Sequence, residues 1–182
     1  SAQRSFAIFA NQEALASATR GLELAREFEQ RRALLGLRER ILGRLGDREA
    51  QRADIDSLDR LARDDDDRTD VLWRRAQWAR ALGELTEEAR YLENFAERVR
   101  PKSDFARRAA AHRAAARNLM LRSHYLDAVG AANEALEIDR QRDDAAGEVD
   151  ALCLLSEIFV NQGNAVDAVR ALDDARVRAE SL

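Results

Sequence analysis

The chain has 182 residues, of which 46% are hydrophobic, 35% charged and 5% aromatic, with 8 Gly and a single Pro; strands of about 5–6 residues need far more turn residues, so a β-rich fold is excluded and helices are expected. Thirty basic against thirty-four acidic residues leave a net charge of −4, which gives no global attraction to nucleic acid or an anionic membrane. No apolar run reaches the ~18 residues of a bilayer-spanning helix, and the one cysteine, Cys153, excludes an internal disulfide and matches a reducing, cytoplasmic setting.

Read in chain order, apolar spacing predicts ten helical segments in five pairs: 1–11 with 13–28, 30–45 with 48–63, 67–82 with 85–99, 103–122 with 124–140, and 145–162 with 164–181. The start, Ser1-Ala2-Gln3-Arg4, lacks both Met and a signal pattern. With Phe9-Ala10-Asn11-Gln12 lying opposite Phe159-Val160-Asn161-Gln162, residues 1–11 read as the back of a first helix cut from a longer protein. The middle pairs match each other loosely, Leu35, Leu42, Leu45 and Gly46 corresponding to Leu72, Ala79, Leu82 and Gly83. The last two pairs match without a gap at an offset of 40: His112, Ala115, Ala116, Leu119, Ala128, Ala132 and Ala135 stand opposite Leu152, Leu155, Ser156, Phe159, Ala168, Leu172 and Ala175. Gly46, Gly83 and Gly163 mark turns within pairs, and Pro101 marks a joint. Asp67 or Thr69, Ser103 and Asp104, and Asn164 are the expected helix caps. Ala76, Ala116 and Ser156 fall where the helices of a pair must approach closely.

The positions Leu152, Leu155-Ser156, Phe159, Ala168, Leu172 and Ala175 resemble the tetratricopeptide repeat, in its longer version of about 40 residues. The copies at 30–99 depart from that pattern, with Glu39 at a small position. The resemblance implies an all-α solenoid of about five antiparallel helix pairs over 1–182, with repeats at 1–28, 30–63, 67–99, 103–140 and 145–181. The long variant is similar to repeats attached to bacterial transcriptional and signalling regulators, of the maltose-regulator and antibiotic-regulator types. It implies a sensor or docking arm whose nucleotide- and DNA-binding parts lie elsewhere.

The chemistry legible in the residues is sparse. The only lysine, Lys102, follows no Gly-rich loop, and the glycines form neither a dinucleotide-binding nor a hydrolase motif. His112 and His124 lack a Glu at ligand spacing, so a core and a surface imidazole are expected. Asp64 to Asp67 has no calcium-loop glycine and reads as a solvated loop feeding a helix N-terminus. Neither a cofactor nor a catalytic constellation is expected.

By the resemblance, the first helix of each pair lines a concave groove. Its groove positions are Arg40 and Arg44, then Trp73, Gln77 and Arg80, then Arg113, Arg117 and Met120, and finally Cys153, Glu157 and Val160. Charge is uneven, with residues 98–122 carrying net +7 and 123–182 net −8, so the groove's centre is basic and an acidic segment or peptide C-terminus is the physical match. The same arginines pairing with acids on neighbouring repeats is the competing reading, and Trp73 and Trp78 serve equally well as core. The function expected is a non-catalytic module binding a peptide or protein, with self-association through terminal repeats open. Two alternatives stand beside it: nucleic-acid binding through the 98–122 stretch, and a small-molecule effector site.

Overall fold

Every apolar stripe in the chain has helical spacing, and each stripe ends at a short polar turn. The computed structural model describes residues 2–99 and 104–180, with side chains from residue 10 onward. The described residues form nine α-helices: α1 (Ala2–Leu24), α2 (Phe28–Leu45), α3 (Arg48–Leu61), α4 (Asp65–Leu82), α5 (Leu85–Val99), α6 (Phe105–Leu121), α7 (Tyr125–Gln141), α8 (Ala145–Gln162) and α9 (Ala165–Ala179).

Local chemistry sets the ends. Gly46 and Gly163 adopt φ 81°, and their N–H groups donate to Leu42 O and Phe159 O, closing α2 and α8 in the left-handed turn that glycine adopts without strain. The α6–α7 and α7–α8 turns place Ser123 (φ 63°) and Asp143 (φ 53°) in that region instead. Asp104 Oδ1 accepts from Arg107 N at 3.0 Å and Asn164 Oδ1 from Asp167 N at 3.3 Å, so both expected caps are in place. Each such cap contributes about 1 kcal/mol. Pro101, Lys102 and Ser103 lie outside the described residues.

Two expectations are corrected. The break between 11 and 13 does not occur: α1 runs unbroken to Leu24, because Asn11-Gln12 holds neither a glycine nor a proline to stop a helix, and the turn falls at 25–27. The first pair is therefore one long helix. At α4 the cap is Asp64, whose Oδ1 accepts from Asp67 N at 2.8 Å, so the helix starts at Asp65 rather than near Asp70. Asp67 instead turns inward, accepting from Arg63 N at 2.9 Å, and Thr69 donates to Asp65 O at 2.7 Å.

The chain divides into two compact units, Ser1–Leu82 and Gly83–Leu182, each described by itself. In the first, α1 to α4 pack successively around Leu35, Ile55, Leu58 and Val71, with Leu22, Leu61 and Trp78 against that core. In the second, α5 to α9 pack in the same serial order and α6 also touches α8. Its core is richer in alanine, with Ala128, Ala132, Ala135 and Ala151 fully covered beside Leu154, Leu155 and Ile158. Small side chains let helix axes come close, and Ala76, Ala116 and Ser156 are all buried, at 2%, 0% and 3% exposure. The architecture is all-α with antiparallel pairs α2–α3, α6–α7 and α8–α9. The unit boundary falls between the helices expected as the third pair, α4 belonging to the first unit and α5 to the second.

Candidate interaction surfaces

In the first unit, Arg32, Gly36 and Arg40 recur four residues apart on α2 and line a cleft of about 290 Å³ against α4. Arg32 pairs with Asp67, whose side chain is 6% exposed, and approaches Asp70 at 3.9 Å. Arg74 of α4 pairs with Glu39 and donates to Gly36 O at 3.5 Å. A Cβ at Gly36 would stand 3.2 Å from the Arg74 guanidinium, so the missing side chain leaves that path open. Since Arg32 meets Asp67 and Gly36 meets Arg74, α2 and α4 run in the same direction. Farther along, Arg40, Arg44, Gln77 and Arg80 are exposed. Trp73 is half-buried; Trp78 is a packing residue, its Nε1–H donating to Arg48 O at 2.9 Å with Arg52 over its ring at 5.5 Å.

In the second unit the expected basic centre is largely engaged. Arg113 donates to Asp139, which is fully buried and also accepts from Arg142 at 3.4 Å. Burial holds the Asp139 carboxyl above its ordinary range, outweighing the pull of Arg113 and Arg142 in the other direction. Arg107 lies 3.3 Å from Asp104, and Arg108 sits over the Phe105 ring at 5.5 Å. The 98–122 stretch therefore spends several of its cations on its own fold, and nucleic-acid binding is not carried forward. Arg117 is half-buried, while Met120, expected to line the groove, is 6% exposed within the core, with Asn161 Nδ2 at 3.7 Å from its sulfur. Cys153, Glu157 and Val160 are exposed on α8.

The histidines are separate. His112 is half-buried and lines a cleft of about 230 Å³ between α5 and α6, walled by Ala89, Ala96, Ala111 and Ala115. His124 precedes α7, with Nδ1 3.9 Å from Asp127. Among the described residues no three His, Cys, Asp or Glu side chains are grouped to hold a metal, and no helix is long and apolar enough to cross a membrane.

Sequence reasoning missed the buried polar ties. Glu39, 2% exposed, accepts from Gln51 Nε2 at 2.8 Å as well as from Arg74. Arg38 donates through Nε and a terminal nitrogen to both oxygens of buried Asp54, at 2.8 and 2.5 Å. Asn118 donates to Leu85 O and to Glu88, both at 2.8 Å. One signal was present: Glu39 occupies a position where the repeat pattern wants a small residue, and an acid there demands a donor.

No protein-family model matches the chain, and no curated protein matches it in sequence. Among solved structures the fold is similar to the crystal structure of BtubC (BKLC) from P. vanneervenii, with a TM-score of 0.61 and 15% identity over 94% of this chain and 92% of that one. At that identity the likeness is one of fold. The assignment to the tetratricopeptide family is accordingly corrected: no model of that repeat matches, and the structural likeness found is to BtubC. The place in transcription regulation rested on that resemblance alone and is withdrawn with it.

Proposed function

We propose that the chain is a non-catalytic helical module that binds an acidic protein segment along α2 and α4, through Arg40, Arg44 and Arg80. The observation that carries this reading is the division of labour in the α2–α4 cleft. Arg32 and Arg74 are neutralised by Asp67 and Glu39, whereas Arg40 lines the same cleft with its side chain exposed. Arg44 follows one turn later on α2, and Arg80 stands on the parallel helix. Forked guanidinium groups suit carboxylates, which they take two hydrogen bonds at a time. A helical face of this kind holds an extended segment rather than a reacting centre.

The test is fluorescence anisotropy with a labelled decapeptide of alternating Asp and Glu. Saturable binding is expected, weakening as salt rises, and Arg40→Glu with Arg44→Glu should reduce affinity by at least about tenfold without altering the helical circular dichroism. An affinity unchanged in that double variant removes the assignment.

A further inference from the structure

The opposite side of α2 carries a second concavity. Arg31, Leu35 and Arg38 recur at helical spacing, and together with Leu22 and Glu23 of α1 and Arg60 and Leu61 of α3 they line an open cavity of about 530 Å³. Its floor is apolar: Leu35 is a core residue, and Leu22 and Leu61 pack against that core. Its walls hold three guanidinium groups and the carboxylate of Glu23, with the Arg38 guanidinium also paired to Asp54 behind the wall, so the excess positive charge rests with Arg31 and Arg60.

Two of those cations are held in place by the fold. Arg38 uses Nε and one terminal nitrogen on Asp54, leaving the donors of its other nitrogen, and that twofold bond fixes the plane of the group. Arg60 donates to Ser57 Oγ at 2.9 Å, and Ser57 in turn donates to Ala53 O at 2.8 Å. Such preorganisation lowers the ordering cost that a flexible arginine otherwise adds to binding.

We propose that this α1–α2–α3 cavity binds a small amphiphilic anion, a molecule with an apolar body and a phosphate or carboxylate head. An inorganic anion reaches the arginines and leaves the leucine floor wet. A neutral apolar molecule covers the floor and leaves the cations unmatched. Only a molecule with both parts uses the whole site, and the volume lies in the range of about 300–1,000 Å³ typical of small-molecule pockets. The site shares no residue with the α2–α4 cleft lined by Arg40.

Calorimetry with monomeric octyl phosphate, inorganic phosphate and octanol tests it. Octyl phosphate should bind the intact chain one to one, at least about tenfold more tightly than either of the other two. Arg31→Gln with Arg60→Gln, both exposed and clear of the Arg38–Asp54 pair, should lower that affinity by at least about tenfold while the circular dichroism stays unchanged. Arg40→Glu with Arg44→Glu should leave it as it was, which separates this site from the peptide surface. Octanol binding as tightly as octyl phosphate, indifference to the Arg31 and Arg60 changes, or capture by phosphatidate vesicles without binding of monomeric octyl phosphate overturns the proposal.

Discussion

At the scale of single residues, the arginine that best fitted a ligand-clamping role from the sequence is a structural one. Arg113 faces Asp139, a carboxylate with no exposed surface, and removing one partner of a buried pair costs about 3–5 kcal/mol because the other charge is stranded. Arg113→Ala should therefore move the urea midpoint far more than it moves any binding isotherm. Asp139 adds a pH signature. Its folded-state pKa lies above the ordinary 3.8, so between the two values the folded chain holds a proton that the unfolded chain has released. The stability this proton contributes is complete below 3.8 and is lost as pH rises through the higher folded value. Compared with Asp139→Asn, the parent protein should gain stability as pH falls through that window, seen as converging or crossing urea midpoints. Internal pairing of these arginines is the competing reading from sequence, but the partner is not legible there, because Arg113 and Asp139 are 26 positions apart and each carries a charge ordinary for an exposed helix. Glu39 leaves a signal by contrast, since an acid on a small apolar position is conspicuous, although its partners Gln51 and Arg74 are not legible.

At the scale of elements, helix identity and most boundaries could be read from spacing and turn chemistry alone. The segments expected at 85–99 and 145–162 coincide with α5 and α8. The failure at α1 has a physical cause: the break was placed by aligning residues 9–12 with a distant copy, but that copy ends at Gly163, and position 13 is Glu, which continues a helix. Packing between elements shows where a glycine is required. A Cβ on Gly147 of α8 would lie 2.6 Å from Asp139 Cγ, whereas one on Gly130 of α7 meets nothing within 4 Å. The same change should then have opposite signs. Gly147→Ala is expected to destabilise by about 1–3 kcal/mol through overpacking, and Gly130→Ala to stabilise by up to about 1 kcal/mol through helix propensity. Thermal melts of the two variants check the pair.

At the scale of the whole molecule, apolar spacing and the repeat alignment predict one run of five similar pairs, while the folded chain contains two units with different interiors. The first gathers Leu35, Ile55, Leu58 and Val71 and threads them with ion pairs at Asp54, Asp67 and Glu39. The second has buried pairs of its own at Asp139 and Glu148, set beside a larger apolar core of alanine, leucine and isoleucine from four helices. Buried ion pairs contribute little net stability after desolvation, whereas apolar burial contributes about 25 cal/mol per Å². Native-state hydrogen exchange should therefore show lower protection for amides of α2 to α4 than for those of α7 and α8; equal protection in both sets would contradict it. The division escaped the sequence reading because the apolar stripes of both units have the same helical period.

The ionic threading of the first unit bears on its response to heat. The penalty for taking ions out of water falls as temperature rises, while apolar stabilisation per unit area levels off. Warming therefore lightens the main burden carried by Arg38–Asp54, Arg32–Asp67 and Arg74–Glu39, whereas the pairs at Asp139 and Glu148 are a smaller part of the larger alanine-lined core. The difference in resilience between the two units should narrow on warming, so that α2 to α4, with the arginine cleft between α2 and α4, stay ordered closer to the main melting transition than their modest apolar core alone implies.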